Sequence, residues 1–393
     1  MRPAIFLASA ARGTVIPSRY QDRAGRTRIL AVTKTRGVWG KAVRLDAPIR
    51  PPDPLVLLSC ASAGNCAAAA RWVGAYVVTE VNGRWGKAQH LRGTGGRLGA
   101  VLGIACPAAG DCTAAGSGTT TAFLATERHG TWRKAFPVPG LAALTQPGDT
   151  SFVGELACPS PGNCTATGQY GSLGVWAGFF VTEKHGIWGK AQPVPDGSII
   201  SALSCRSPDN CAAAWPSPDP SGLYINTQTN GTWGTPQLLP GAAQLNGAGV
   251  EQIICPAAGQ CTVLGQTYTA SPGHYTQQPF VVVQQNGIWH NAQRITGTGN
   301  KNLSVTFSLS CPTAGNCVLG GSIPARGGCH AAFAAEANYH WGPARVLPGV
   351  LALDQGRYSQ INVVSCAARH RCTAVGFFTT KNGASRLLAT AQP

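Results

Sequence analysis

Apolar positions in this chain come in short alternating runs. "VGELAC" (Val153–Cys158) carries small and apolar residues up to a cysteine, a Pro/Gly loop interrupts it, and "CTATG" (Cys164–Gly168) resumes an extended pattern. A second pattern follows in "VTEKHGIWGKAQPV" (Val181–Val194), where a β-branched and apolar run meets a two-residue turn and a tryptophan. In "VTEVNGRWGKAQHL" (Val78–Leu91) and "VVQQNGIWHNAQRI" (Val282–Ile295) the turn is Asn-Gly, a strong hairpin signal. Each repeat therefore reads as strand a, cysteine loop, strand b, variable loop, strand c, tight turn, strand d. Four antiparallel strands repeated about every 50 residues predict the blades of a β-propeller.

The fold class expected is thus all-β, one domain over residues 1–393. Residues 1–50 form a first or partial blade, 55–350 six full blades, and 351–393 a last, incomplete one. "AIFLASAAR" reads as a cysteine-free strand a and "TVIPSRY" (Thr14–Tyr20) as strand b of the first. The count is closest to eight blades. Seven is the alternative, if the N-terminal c–d hairpin completes the C-terminal a–b pair. The two ends are expected to close the ring, since a loose sheet edge is costly.

The cysteines obey one rule. Cys60 and Cys66, Cys106 and Cys112, Cys158 and Cys164, Cys205 and Cys211, Cys255 and Cys261, Cys311 and Cys317, and Cys366 and Cys372 are each six positions apart. Residues flanking a hairpin loop lie at disulfide distance. Zinc needs four ligands, and only His370 sits inside a cysteine loop. Seven disulfides are expected, with no metal and no cofactor; each closes a short loop, worth about 2 kcal/mol. Such density implies an oxidising compartment, secreted or in the cell envelope. The opening "MRPAIFLASAARG" is short for a signal peptide, which suggests a misplaced start or non-standard export. Cys329, beside His330, is left over. Neighbours on a strand point to opposite faces, so the pair reads as a stray thiol rather than a nucleophilic dyad.

The c–d hairpin resembles the Asp-box of sialidase-type propellers, in which an acidic or Asn turn, a Gly and a Trp recur once per blade. The Asp-box has two residues between Gly and Trp; "NGRW" and "NGIW" have one. The cysteine unit is similar to the cysteine-paired repeats of uncharacterised secreted actinobacterial proteins. These resemblances imply a propeller in a bacterial, exported setting, and carry no catalytic residue across.

Composition narrows the function less than the architecture. Net charge is +16, of which residues 1–50 supply +9, so the basic excess lies at the N-terminal end and reads as peripheral. Specific nucleic-acid binding is not expected. No apolar run reaches 18 residues, so no membrane span is expected. A glycosidase needs two carboxylates facing a substrate, but Glu80, Glu127, Glu183 and Glu336 all stand five residues before a blade Trp and belong to the repeat. Each is expected to face its Trp, with Lys87, Lys134 and Lys190 as diagonal neighbours in three blades. His129 and His185 fill the slot of Asn82, Asn230 and Asn286, so they read as left-handed turn residues.

The a–b loops and c–d turns share one end of the strands and hardly vary. The b–c and d–a loops at the other end do: "QYGSLGVWAG" (Gln169–Gly178) and "QTYTASPGHYTQQP" (Gln266–Pro279) read as long b–c loops. Repeat proteins put variable insertions on their binding face. The aromatics there that lie outside the repeat are Trp72, Tyr170, Trp176, Trp215, Tyr224, Tyr268 and Tyr275. They suit stacking on sugars or anchoring a peptide, or packing the loops onto the blades. The expectation is a monomeric, secreted binding module for a carbohydrate polymer or protein surface. The alternatives are a propeller enzyme, such as a glycoside hydrolase or lyase, and a structural envelope protein.

Overall fold

The computed structural model describes residues 8–10, 13–21, 27–35, 38–39, 43–45, 56–62, 64–70, 74–95, 99–216, 222–245, 248–271, 274–298, 307–325, 327–369, 371–383 and 385–391. They form eight antiparallel sheets in chain order, each a meander. This is the four-stranded blade of an all-β propeller, as the alternation of short apolar runs predicts.

Sheet four shows the plan. Its strand a is Thr150–Ser160, b Asn163–Ser172 and c Val175–Lys184. Strand d comes in two pieces, Ile187–Trp188 and Gln192–Pro193, both paired to strand c. Between them Gly189, Lys190 and Ala191 leave the ladder as a bulge. Sheet one begins at Ala8–Ala10, paired with Gly13–Gln21, so "TVIPSRY" is indeed strand b. Sheet two spans residues 56–90, sheet three 100–137, sheet six 248–294 and sheet seven 308–346. Sheet eight has three strands, Ser359–Ala368, Arg371–Thr379 and Ser385–Ala391.

The described residues fall into two compact units, one up to Asp209 and one from Asn210 onward. The first holds sheets one to four and the strand Ala202–Ser207. The second opens with the sheet-five strands Asn210–Pro216, Leu223–Thr229, Thr232–Trp233 and Gln237–Leu238, and continues with sheets six to eight. In each unit the core lies between successive sheets. Leu124, Val138, Val153 and Phe179 are buried together between sheets three and four, with Trp188 packed against them. Leu264, Val281, Leu309 and Leu319 do the same between sheets six and seven, with Trp341. Strand b is rich in fully buried alanine, including Ala67, Ala114 and Ala213, which lets neighbouring sheets approach closely.

The cysteines pair as their spacing requires. Six bridges join residues six apart with Cα atoms 3.9–4.1 Å from each other. Cys205 and Cys211 are disulfide-bonded as well. Each bridge sits at the base of its a–b hairpin; Cys60 pairs directly with Cys66 and Cys366 with Cys372. Cys329 is free and buried.

Candidate functional site

In sheets two, three, four, six and seven, one end is committed to holding itself together. In sheet four the Gly186 N–H of the c–d turn donates to the Gly162 carbonyl of the cysteine loop at 2.8 Å. The His185 N–H donates to the Asn163 side chain at 3.2 Å. The same glycine bond joins Gly83 to Gly64, Gly130 to Gly110 and Gly287 to Gly259. A Cβ on Gly162 would lie 2.9 Å from the Gly186 nitrogen, so the two turns touch through bare backbone. His129 and His185 sit at φ 51° and 50°, beside Asn82, Asn230 and Asn286 at 49–51°. The histidines are turn residues, which the shared slot in the sequence had implied.

The repeated glutamates lie beneath that end. Glu80, Glu127, Glu183 and Glu336 are buried, each directly opposite its blade Trp. The expected lysine neighbours are exposed instead, because the bulge in strand d turns Lys87, Lys134 and Lys190 outward. Glu183 takes its cation from the preceding sheet: Arg128 Nη2 lies 2.9 Å from its Oε1. Glu127 accepts from Thr79 Oγ1 at 3.3 Å, and Trp132 Nε1 donates to that same hydroxyl. Burial raises the carboxyl pKa of Glu127, with the Thr79 bond opposing, and of Glu183, with Arg128 opposing. Glu336 is pushed up to about 7 by burial, against the opposing pull of the nearby Trp341 indole and Cys317 backbone, neither of which reaches its carboxylate at full hydrogen-bond geometry. These acids are closed off from substrate.

At the opposite end the b–c hairpins of sheets four, six and seven extend beyond those of sheets two, three and five. The stretch Gln169–Gly178, read as a loop, is strand nearly throughout: Gln169 pairs with Gly178 and Ser172 with Val175 around a two-residue turn, Leu173-Gly174. Leu173 sits at φ 52° and is fully exposed, Val175 is 78% exposed and Trp176 36%. A leucine in left-handed backbone costs about 1–2 kcal/mol, and here no burial offsets it. Trp176 lies 6.1 Å from Phe152 ring to ring, and Tyr170, half-buried, 6.5 Å from Phe179. The result is a rigid apolar fingertip with an indole on its flank.

The other aromatics fall differently. Trp215 is wholly buried, 6.0 Å from Tyr224, which is half-buried. That pair packs sheet five, the role left open beside binding. Tyr268 is 45% exposed; its hydroxyl donates to Glu251 Oε1 at 2.8 Å. Burial raises the phenol pKa, and the Glu251 bond and charge add to it. Tyr275 lies on the strand His274–Gln285, its side chain outside the described residues, as is all of Trp72. Most of Gln266–Pro279 is also paired strand, because its alternating Thr, Tyr and Gln suit a solvated ladder as well as a loop. Of the seven candidates, Trp215 and Tyr224 come together, whereas Tyr170 and Trp176 lie on opposite faces of the sheet-four hairpin.

Sequence reasoning missed one constellation. His330 Nδ1 is 2.9 Å from Asp354 Oδ2, and both residues are buried. Asp354 Oδ1 also accepts from the Tyr358 N–H at 2.7 Å and from Thr379 Oγ1 at 3.2 Å. The carboxylate thereby ties the turn after sheet seven to the first two strands of sheet eight. The neighbouring Cys329 donates to Ser322 Oγ at 3.5 Å rather than to the imidazole. Burial raises its thiol pKa, the Ser322 bond opposes this, and the Asp354 charge adds to the rise. A protonated, buried thiol is a poor nucleophile, so the stray-thiol reading stands. No spacing signal links residues 330 and 354, neither of which recurs in the other sheets.

No protein-family model matches the chain, and no curated protein matches it in sequence. Solved structures do match in fold. A Dos1 propeller aligns with TM-score 0.59 and 10% identity over 95% of this chain and 90% of its own. An ulvan lyase of polysaccharide lyase family PL25 aligns with TM-score 0.53 and 9% identity over 100% and 94%. YCF48 from Cyanidioschyzon merolae aligns with TM-score 0.50 and 11% identity over 86% and 95%. At these identities the likeness shows the β-propeller fold and nothing of activity.

Proposed function

We propose that this protein is an exported binding module that engages a protein surface through the b–c hairpin of sheet four. The supporting observation is the fingertip of Leu173, Val175 and Trp176: three exposed apolar side chains at the tip of one paired hairpin, Val175 and Trp176 on its two faces and Leu173 in strained backbone at the turn. Exposed apolar side chains clustered on one projection mark interaction sites, and strain without a packing return points to function rather than stability. The disulfides fit an oxidising compartment, and the cysteine-paired repeats fit an exported bacterial setting. A carbohydrate polymer is the second reading, favoured by the Trp176 indole beside Phe152, a surface on which a sugar ring can stack. An enzymatic role has less support, since the repeated acids are buried.

The test is a paired variant, Leu173→Asn with Trp176→Ser. Wild type and variant are compared for capture of an extracellular protein fraction and on a glycan array, alongside a panel of chromogenic glycosides. The variant should lose about tenfold or more in affinity for a captured protein while its melting temperature holds. Undiminished binding by the variant, or turnover of a glycoside, would refute the reading.

A further inference from the structure

Strand d pairs with strand c alone and so forms an edge of its sheet. In sheets three, four, six and seven its bulge alanine donates an N–H to a carbonyl at the end of the preceding sheet: Ala135 to Arg92, Ala191 to Pro139, Ala292 to Pro240 and Ala344 to Thr296, at 2.7–2.8 Å. The residue before that alanine is turned away from the core and rests on the glycine that follows the carbonyl. A Cβ on Gly93 would lie 3.1 Å from Lys134 Cγ, one on Gly140 2.8 Å from Lys190 Cβ, and one on Gly241 3.4 Å from Asn291 Cβ. The slot is the same in both units, but its occupant is not. In sheets two, three and four it holds Lys87, Lys134 and Lys190, all exposed; in sheets five, six and seven it holds Thr235, Asn291 and Pro343. Edge lysines guard a sheet against pairing with other chains. Sheets five to seven present the same edge and fill the slot without charge, so the blade itself does not demand the lysine.

The three edges of the first unit are cationic throughout. Residues 84–90, 131–137 and 187–193 contain Arg84, Lys87, Arg133, Lys134 and Lys190, and no aspartate or glutamate. Among the described residues none of these five pairs with a carboxylate; Glu80, Glu127 and Glu183 are buried beneath the turns, and the ion pairs there are Arg128 with Glu183 and Lys184 with Asp209. Facing sheets pack roughly 10 Å apart. Lys87 stands six residues before Gly93, and Lys134 six before Gly140, so consecutive lysines are separated by at most about 25 Å. Three charges so spaced on three sheets exceed the span of a small anion and suit a polymer. Gln89 and Gln192, exposed two positions beyond Lys87 and Lys190, offer amide donors and acceptors to hydroxyl groups. Trp85, Trp132, Phe136 and Trp188 pack into the cores, which leaves nucleic-acid bases no aromatic platform from these four.

We propose that the strand-d edges of sheets two, three and four form one binding track for an anionic polysaccharide, with Lys87, Lys134 and Lys190 each meeting a carboxylate or sulfate group of the polymer. An exposed ion pair is weak by itself, but several made to one chain act together. The lysine stems lie along the preceding sheet, so the ammonium groups are carried outward at a fixed spacing. The track lies apart from the hairpin tip of Leu173 and Trp176 and does not depend on what that tip binds.

The probes are polygalacturonate, whose charges are carboxylates, and dextran sulfate, whose charges are sulfates. Each is titrated calorimetrically into the full-length oxidised protein at several salt concentrations. The test variant combines Lys87→Asn, Lys134→Asn and Lys190→Asn, taking the residue that sheet six uses in this slot. A control, Arg345→Gln with Arg371→Gln and Lys381→Gln, removes the same charge from exposed positions of the second unit. The lysine variant should melt with wild type and bind one or both polymers about tenfold more weakly or worse, the slope of log affinity against log salt falling by about two to three. The polymer that responds identifies the anionic group. The control should stay within about twofold of wild type. If the triple variant melts lower, the three single variants decide the matter, each expected to weaken binding about twofold. Binding of neither polymer at low salt would overturn the proposal, as would a control that loses as much as the lysine variant. Tighter binding of duplex DNA or of phosphatidylglycerol vesicles than of either polysaccharide would overturn it as well.

Discussion

Glu336→Gln should stabilise the protein, and only at high pH. Glu336 is 4% exposed, opposite Trp341, and burial raises its pKa from an ordinary 4.5 to about 7. The folded state thus holds this proton more tightly than the unfolded one. The associated stability is fully present below the unfolded value and is lost as pH rises through about 7. At about 1.4 kcal/mol per tenfold, the gap amounts to about 3 kcal/mol by roughly pH 8. Glutamine carries no such penalty, and this chain already uses it: Gln228 and Gln284 hold the same slot, donating to the Gly231 and Gly287 carbonyls at 3.3 and 3.2 Å. The equivalent acceptor for residue 336 is the Tyr339 carbonyl. The assay is thermal unfolding of both proteins, disulfides intact, at about pH 4.5 and pH 8. The variant should melt several degrees higher at the upper pH and nearly level with wild type at the lower. Glu127 and Glu183, shifted in the same direction, give the wild type a further decline with pH, which the comparison cancels. An equal difference at both pH values, or a variant less stable at the upper one, would refute the reasoning.

Three further outcomes follow from the same coordinates. Reduction should add two hydrogens per bridge for all seven cysteine pairs, while Cys329 resists alkylation until the protein is unfolded, as intact mass spectrometry would show; stoichiometric zinc on free thiols would contradict this. His185→Asn should melt no lower than wild type, whereas His185→Val, a β-branched residue at φ 50°, should cost about 1–2 kcal/mol by denaturant titration. Trp215→Ala should destabilise by about 3–5 kcal/mol, and Trp176→Ala by well under 1 kcal/mol, in the same titration.

Most of the blade was legible in the sequence because its devices are local. A cysteine pair six apart and an Asn-Gly turn each declare a hairpin with no help from distant residues. Trp215 shows where that reading stops. As a singular aromatic after strand b it was a binding candidate, yet strand b of sheet five runs through Pro216 and carries the indole into the core. Polar alternation in Gln266–Pro279 likewise hid a strand, because composition does not distinguish a solvated ladder from a loop. Lys190 was assigned to Glu183 by ideal hairpin geometry, which the bulge at Gly189–Ala191 breaks. His330 with Asp354, and the alanine bonds between sheets, were invisible for one reason: each joins residues whose proximity only the folded chain creates.

The contact between the two pinned glycines has a consequence for inheritance. Gly162 and Gly186 lie 24 positions apart; a side chain on Gly162 would strike the Gly186 backbone, whereas one on Gly186 would meet nothing, so it is the cysteine-loop glycine that cannot drift. Sheet seven shows the form an escape takes. Its turn carries Tyr339 in place of glycine, at φ 67°, with the ring laid over Gly315 and the hydroxyl donating to Gln260 Oε1 at 2.8 Å in the cysteine loop of sheet six. One glycine was exchanged while its mate stayed. The newcomer reaches past its own sheet to a neighbour, so that copy of the repeat no longer transplants freely. Copies with both glycines remain interchangeable modules, free to be duplicated or shuffled whole. The copy bearing Tyr339 is committed to its place in the series.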